Sequence, residues 1–338
     1  MRMLAAGLAR IFRAGEWWDH KLVPLLAVFY GTAWIGRGSI ASLSPQILIL
    51  LAAIVPGAIY VSVINDLSDR ADDAAAGKRN RMIGRPWPQS AAFVALPLAI
   101  GLAFLLLWRD RPPLMLAYLG AWISFSLYSL PPLRQKVRGV AGILADASGA
   151  HLFPSLVSLF LAAYAAGTRP DPIWIAAVAA WALAYGLRGI IWHQLADAAA
   201  DRRAGVRTFA ERLAPARAAA FAVRFVFPAE LVALAAMLWR LETPLPSLFL
   251  LGYALLLLMR VHFTGERAVI VMPRSRSWAM VLQEYYELFL PVSILLASAW
   301  LHPLDLAILA AHLLLFHRRA FGTLRQLRAL SAALAAGR

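Results

Sequence analysis

The sequence predicts an all-α polytopic membrane protein with nine to ten transmembrane helices. Of its 338 residues, 61% are hydrophobic and only 15% are charged, and the mean hydropathy is +0.67. Soluble domains contain roughly 45–50% apolar and about 25% charged residues, so this chain has more apolar surface than one globular core can bury. The apolar residues also occur in runs long enough to cross a bilayer, which takes about 20 residues.

Ten apolar runs are candidates for these helices, eight of them clear and the last two short. They are residues 22–40, 45–64, 91–108, 113–130, 141–166, 172–192, 219–239, 246–259, 286–301 and 304–316. His302 and Pro303 separate the last two runs, so these runs are either two helices or one kinked element.

The distribution of Lys and Arg favours ten crossings with the N-terminus inside. In that topology 26 of the 33 basic residues flank the inner ends of the helices, and five lie in the outer turns. Nine crossings would place the five arginines of residues 318–338 outside. We therefore expect a multi-pass protein of a bacterial inner membrane, with its N-terminus and inner loops in the cytoplasm.

Three segments follow from this topology. Residues 1–21 alternate basic and apolar side chains without a cleavage site, which predicts an interfacial helix and not a signal peptide. Residues 22–317 form a single transmembrane domain, and residues 318–338 form a basic cytoplasmic tail. The formal net charge of +15 then has a topological role and does not indicate nucleic acid.

Cysteine is absent from the sequence. This excludes a disulfide framework, a thiolate metal site and a thiol nucleophile.

Acidic residues concentrate in two similar segments that form an internal repeat. Residues 65–79 and 193–207 match at seven of fifteen positions when offset by 128. The first copy follows the second helix and the second copy follows the sixth. Because an even number of crossings separates them, both copies lie on the same, inner face.

Helical spacing places polar residues of each copy on one helix face, at positions i, i+4 and i+8. These two stripes are Asn65, Asp69, Asp73 and His193, Asp197, Asp201. Clustered carboxylates repel each other, and more strongly near a low-dielectric bilayer, so a cation should neutralise them. Oxygen ligands without cysteine favour Mg²⁺, which leaves coordination positions to water and phosphate.

Basic residues beside these segments suit the remaining phosphate charge. Lys78 and Arg85 follow the first copy, and Arg134 and Lys136 lie on the next inner loop. The combination predicts a Mg²⁺-diphosphate site at the inner membrane surface.

Further candidates are polar residues inside or beside the predicted helices. Charged residues within a membrane are functional candidates because burying them is costly, and these residues are Asp146, Arg188, Arg224 and Glu230. Arg188 precedes His193 by little more than a turn and is expected to point at the site. His193 is a general base, a phosphate contact or a helix cap, and Tyr128 is a substrate contact or an interface anchor. Asp72 breaks the stripe and is interpreted as a solvated neighbour.

These residues carry a family resemblance. The run NDLSDRADD resembles the N-D-x-x-D-x-x-x-D motif of the UbiA superfamily of intramembrane prenyltransferases, and DAAAD resembles its second D-x-x-x-D motif. The run YSLPPLRQK, residues 128–136, is similar to a Y-S-x-P-P-L-(K/R)-x-K stretch in several branches, and GRP, residues 84–86, to the R-P after the first motif.

The resemblance implies a helical bundle around a central, lipid-accessible cavity, in which two Asp-rich motifs hold Mg²⁺ on a prenyl diphosphate. By position, the first motif corresponds to Asn65, Asp66, Asp69 and Asp73, and the second to Asp197 and Asp201. His193 and Gln194 of the second copy stand where the first copy has Asn65 and Asp66. Gln194 is assigned to substrate binding and His193 to catalysis. The basic family positions are Arg85, Arg134 and Lys136. Two features depart from the family pattern. The stretch from Asp73 to Arg85 is longer than in the common pattern of members with aromatic acceptors, and a tenth helix exceeds the usual nine.

The resemblance therefore implies Mg²⁺-dependent transfer of a prenyl group from a prenyl diphosphate to an acceptor in the membrane. Three alternatives remain at this level: a terpene cyclase of the same type that needs no acceptor, transfer of a phosphosugar to a polyprenyl phosphate, and a membrane scaffold or transporter. A polar acceptor pocket beside a lipid groove favours transfer, whereas a closed aromatic chamber favours cyclisation.

Overall fold

The computed structural model describes residues 14–77, 80–203, 205–271 and 278–335. These residues form thirteen helices and one small sheet. The helices are α1 (Val23–Ile35), α2 (Ala41–Ser68), α3 (Arg70–Ala76), α4 (Trp87–Leu107), α5 (Pro112–Ser129), α6 (Val140–Ala165), α7 (Pro172–Arg203), α8 (Phe209–Leu213), α9 (Pro215–Arg240), α10 (Leu245–Thr264), α11 (Tyr285–Leu301), α12 (Asp305–Leu315) and α13 (His317–Ala335). Strands β1 (Arg267–Val269) and β2 (Trp278–Met280) pair in parallel.

Each of the ten predicted runs falls on a helix, and the prediction of an all-α polytopic membrane protein is confirmed. Six of the described helices are long and apolar enough to cross a membrane: α2, α4, α6, α7, α9 and α10. Helices α11 and α12 are apolar but shorter. The number of crossings therefore stays a prediction.

Proline explains an irregularity that four of the helices share. A π-helical turn occurs at Trp18–Leu22, Ser148–Leu152, Ala222–Val226 and Tyr285–Phe289. In each case a proline is the second residue after the turn, namely Pro24, Pro154, Pro228 and Pro291. Proline has no N–H to donate and its ring clashes with the carbonyl four residues earlier, so the helix widens before it.

Helices α11 and α12, which correspond to the last two apolar runs, form an antiparallel pair instead of one kinked element. At one end of α12, the Asp305 carboxylate accepts hydrogen bonds from the Ala41 N–H at 2.7 Å and the Ile40 N–H at 3.1 Å, beyond the C-terminal end of α1. At the other end, the Trp18 indole donates to the Leu315 carbonyl at 3.4 Å. Helix α12 therefore returns along α1 toward the N-terminal side of the bundle.

The start of α13 lies on that same side. The buried Glu287 carboxylate pairs with Arg319 of α13 and lies 2.7 Å from the His20 imidazole. Lys21, next to His20, lines a cavity together with Asp197 of the second acidic segment. Lys21, the start of α13 and the acidic segments thus share one side of the bundle, as an even number of crossings would require.

The N-terminal segment differs from the expected interfacial helix. Residues 1–13 lie outside the described residues, and Ala14–Trp17 continue through the π-helical turn directly into α1. Trp17 and Asp19 are buried, and Trp17 and Lys21 line a cavity within the bundle. The predicted basic tail is helical in its described part, α13, and exposes Phe321, Leu324 and Leu327.

Labelling of single cysteines checks this topology, because the chain contains no cysteine of its own. We expect Ala75→Cys and Ser331→Cys to react with a membrane-impermeant maleimide only after permeabilisation of the cells. Asp110→Cys, in the exposed turn at the far end of α4, should react in intact cells. Reaction of Ser331→Cys and Asp110→Cys from the same side would contradict the even number of crossings.

Candidate active site

The first acidic segment lies where α2 gives way to α3. Helix α2 ends at Ser68, but the Asp69 N–H still donates to the Asn65 carbonyl at 3.0 Å, and the Asp73 N–H to the Asp69 carbonyl at 2.8 Å. The helical repeat is therefore kept across the break. Asn65, Asp69 and Asp73 consequently face one cavity, as the spacing predicts.

The second acidic segment is the end of α7, the longest described helix. His193, Asp197 and Asp201 line the same cavity as the first stripe. Both segments end in the same way, because Gly77 has φ 65° and Gly205 has φ 69°. A left-handed residue after a helix favours glycine, which explains why this glycine recurs at the same place in both copies.

The two stripes enclose a polar cavity of about 130 Å³. Its walls come from α2, α3, α5, α7 and the segments after α5 and α7. The lining residues are Asn65, Asp69, Asp72, Asp73, Tyr128, Lys136, Ile190, His193, Gln194, Asp197, Asp201, Val206 and Thr208. We call this space the polar cavity.

Two cations of the loop after α5 neutralise the first stripe. Arg134 donates to the Asp69 carboxylate at 2.9 Å and to Asp72 at 2.5 Å, and the Lys136 ammonium also pairs with Asp69. Partial burial lowers the pKa of the Arg134 guanidinium, but the Asp72 and Asp69 carboxylates raise it further, so its net pKa lies above the ordinary value. Asp72, interpreted from the sequence as a solvated neighbour, instead shares Arg134 with Asp69.

The residues of the polar cavity suit Mg²⁺ held jointly with a phosphate ligand. Within the described ranges, no three carboxylate or imidazole side chains form a ready-made metal cage. Mg²⁺ usually takes one or two carboxylates and fills its other positions with water and phosphate oxygens. Three buried polar atoms at the cavity have no hydrogen-bond partner among the described residues: Asn65 Oδ1, Gln194 Nε2 and Thr208 Oγ1. A polar ligand there would supply the missing partners.

A second space of about 290 Å³, the aromatic chamber, adjoins the polar cavity. Both spaces are lined by Asn65, Tyr128, Ile190, His193 and Asp197. Its aromatic lining consists of Trp17, Tyr60, Tyr118, Trp122, Phe125 and Tyr128. Hydrogen bonds fix several of these rings, since Tyr60 bonds to Ser126 at 2.9 Å and Tyr118 donates to the Ala53 carbonyl at 2.9 Å.

The predicted residues Asp66 and Arg85 do not line either space. The Arg81 N–H donates to the buried Asp66 carboxylate at 3.3 Å, and the Arg81 guanidinium lies 3.8 Å from it. Arg85 donates to the Arg81 carbonyl at 2.8 Å and covers the Phe93 ring. Both residues therefore order the loop before α4. Lys78 lies outside the described residues.

Arg188 also differs from its expected orientation toward the site. Its guanidinium makes a two-pronged pair with Glu230, at 2.6 and 2.7 Å, and both side chains are fully buried. Tyr286 donates to the same carboxylate at 2.9 Å, and Arg188 donates to the Ile270 carbonyl at 3.2 Å. The group joins α7, α9 and α11 and lines neither cavity.

Two site residues were not anticipated from the sequence. Lys21 lines the aromatic chamber because the helix before α1 enters the bundle instead of lying on the membrane surface. Thr208 lines the polar cavity just before α8. Its position three residues before Glu211 matches the Thr-x-x-Glu signature of a helix start. That signal predicts the turn but not that Thr208 lines the cavity.

Fold and site together define a class, a polytopic α-helical membrane protein with paired acidic helix ends over an aromatic chamber. A model of the UbiA prenyltransferase family matches residues 23–271, most of the chain. The chain belongs to this family, so the resemblance seen in its motifs is confirmed.

Similar proteins agree with this assignment. Lycopene elongase/hydratase of Halobacterium salinarum is 30% identical over 209 residues, which are 61% of this chain and 71% of that protein. A structure of a UbiA homolog from Archaeoglobus fulgidus aligns with a TM-score of 0.56 and 17% identity, covering 90% of this chain and 99% of that one. A UbiA homolog from that organism bound to GPP and Mg²⁺ gives a TM-score of 0.50, 17% identity, and coverage of 93% and 98%. At such identity the two structures establish the shared fold.

The buried Arg188 pair generates a prediction about stability. Removing one partner of a buried ion pair costs about 3–5 kcal/mol because the other charge is left uncompensated. Arg188→Met and Glu230→Gln should each lower the apparent melting temperature in detergent by about 5–10 °C. The double variant Arg188→Met/Glu230→Met should regain much of the loss.

Arg224→Met, which removes an exposed arginine of α9, is the matched control and should melt like the wild type. An Arg188→Met protein with unchanged melting temperature but no activity would instead return Arg188 to the substrate site.

Proposed function

We propose that this protein transfers a prenyl group from a prenyl diphosphate to an apolar acceptor, with Mg²⁺, at the cytoplasmic side of the membrane. The supporting observation is the convergence of both acidic stripes on one polar cavity that continues into an aromatic chamber. An allylic diphosphate has a charged head and an apolar tail, so its binding site requires a polar space next to an apolar one. Membership in a prenyltransferase family supports the same reaction class.

The polar cavity is suited to the leaving group. Breaking the allylic C–O bond separates a carbocation from a highly charged diphosphate, so the site must stabilise the departing anion. Arg134 and Lys136 supply fixed positive charge at the Asp69 end of the cavity. Asn65, Gln194 and Thr208 supply polar atoms that lack partners among the described residues. His193 lies where the two spaces meet, beside the bond to be broken.

Carboxylates of the second stripe, together with Asp73 of the first, would hold the metal. Asp73, Asp197 and Asp201 line the polar cavity and are the carboxylates best placed for this, together with Asp69 after its cations shift to phosphate. Mg²⁺ bound there would offset the diphosphate charge and improve it as a leaving group.

The aromatic chamber is suited to the prenyl chain and to the cation. Aromatic faces attract a positive charge, and Tyr60, Trp122 and Phe125 present such rings beyond Tyr128. The mainly apolar and aromatic lining of the chamber limits the water that could capture the cation. The same lining would serve cyclisation, and similarity to lycopene elongase/hydratase favours transfer.

A long hydrocarbon is the acceptor class that the similar proteins support, because lycopene elongase/hydratase is 30% identical to this chain. A chamber of about 290 Å³ is at the small end of pockets that enclose a drug-sized ligand. A long polyene would therefore place only its end in the chamber, while the rest extends between helices into the bilayer.

Removal of single carboxylates tests the metal site. Asp69→Asn and Asp197→Asn should each reduce diphosphate release and product formation by about 100-fold or more, because transition-state charge stabilisation of this kind is worth several kcal/mol. EDTA should abolish activity and added Mg²⁺ should restore it. The assay uses purified protein, DMAPP or GPP, and lycopene.

Asp110→Asn, the same change in an exposed outer turn, is the control and should keep full activity. Full wild-type turnover in EDTA would refute the metal proposal. Diphosphate release with a cyclic product and no use of acceptor would replace transfer by cyclisation.

His193 and Asp201 should differ in their effect on metal dependence. His193 lies between the two spaces, so His193→Ala should slow turnover about 10-fold or more while the Mg²⁺ concentration for half-maximal activity stays nearly constant. Asp201→Asn should raise that concentration. Equal shifts for both variants would make His193 part of the metal site.

A further inference from the structure

Asp146 is a carboxylate of the aromatic chamber that the metal site does not use. It lies on α6, six residues after the helix begins, which places it about 9 Å inside the bundle. The acidic residues that line the chamber are Asp146 and Asp197 in the described part of the chain, and Asp197 belongs to the second stripe. An ionisable group at this depth is costly to keep.

The packing of α6 against α7 fixes the depth of Asp146 relative to the polar cavity. A Cβ added to Gly186 of α7 would lie 3.0 Å from the Ala147 Cα, so Asp146 is level with Gly186. On α7, His193 follows Gly186 by about 10 Å and Asp197 by about 16 Å along the helix axis. Asp146 therefore lies on the chamber side of His193, away from the carboxylates of the polar cavity.

The surroundings keep Asp146 available as an acceptor. No hydrogen bond or ion pair joins its carboxylate to another residue of the described ranges, and its side chain is partly exposed to the chamber. Lys21, from the π-helical turn before α1, lines the same chamber and brings a positive charge to it.

Prenyl transfer to an unsaturated hydrocarbon requires a base at such a place. The allylic C–O bond breaks, and the π electrons of the acceptor double bond form the new C–C bond. A carbocation then remains on the acceptor, and a C–H bond next to it must break so that its electron pair forms a new double bond. The proton needs an acceptor inside the chamber, close to the carbon that carries the C–H bond.

We propose that Asp146 is the catalytic base that removes this proton from the prenylated acceptor. This proposal rests on the proposed function. The proton leaves Asp146 with water that enters the chamber once product and diphosphate have departed, which restores the carboxylate for the next turnover.

The test compares Asp146→Asn with the wild type, using DMAPP, lycopene and Mg²⁺, and measures diphosphate release and hydrocarbon products separately. General base catalysis contributes about 10²–10⁴-fold, so formation of the unsaturated product should fall at least 100-fold. The KM for DMAPP should stay within twofold. Diphosphate release should fall much less, because the cation that is not deprotonated is captured by water as an alcohol. Asp146→Glu should recover part of the unsaturated product.

The matched control is Asp110→Asn, which should behave like the wild type. If Asp146→Asn melts at a lower temperature than this control, the decisive measurement is the isotope effect on the products of Asp146→Glu compared with that of the wild type, because moving the base changes how the cation is partitioned. Acceptor deuterated at the carbon that loses the proton should then change the ratio of alkene to alcohol.

Several results would overturn the role of Asp146. These are unchanged products in Asp146→Asn, equal losses of diphosphate release and product with a raised KM, an absent isotope effect on the product ratio, or a wild-type product that is wholly hydroxylated. Absence of any prenylated acceptor with the wild type would instead overturn the proposed function, and the role of Asp146 with it.

Discussion

The structure depends on how acidic side chains are neutralised at the edge of a low-dielectric bundle. Two helix ends bring four stripe carboxylates and Asp72 to one polar cavity of about 130 Å³. In a medium of low polarity such charges repel strongly. The loop after α5 offsets this repulsion by directing Arg134 and Lys136 at Asp69. Under the proposed function, a charged ligand would exchange partners with these groups instead of entering an uncompensated site.

The sequence predicted the helices and the two stripes well, because both follow from local periodicity. Asn65, Asp69 and Asp73 keep their i, i+4, i+8 relation even though α2 ends between them, since the backbone hydrogen bonds continue across the break. The glycines that close both copies adopt the same left-handed conformation. Patterns of this kind are decided within a few residues, and tertiary packing leaves them unchanged.

The positions of Asp66 and Arg188, which line neither cavity, have a different origin. Motif spacing predicts that Asp66 is near the site. Whether its carboxylate faces the cavity or binds the loop at Arg81 depends on the path of that loop. Arg188 lies one helical turn from His193, yet its partner Glu230 is 42 residues away in sequence. A fully buried guanidinium needs a matched carboxylate, and the partner that meets this need is set by the packing of α7 against α9.

Arg188 and Asp146 show two solutions to the cost of a charge within a membrane bundle. Arg188 is enclosed with Glu230 and Tyr286, so its charge is cancelled at short range and its side chain is held in one orientation. Asp146 has no such partner among the described residues and instead faces a chamber of about 290 Å³. The bundle can therefore compensate a buried charge completely, as it does at Arg188. The absence of such a close partner at Asp146 among the described residues therefore indicates a function. A carboxylate left open to an apolar substrate space, with a cation held at a distance, keeps the capacity to accept a proton that a closed ion pair would lose.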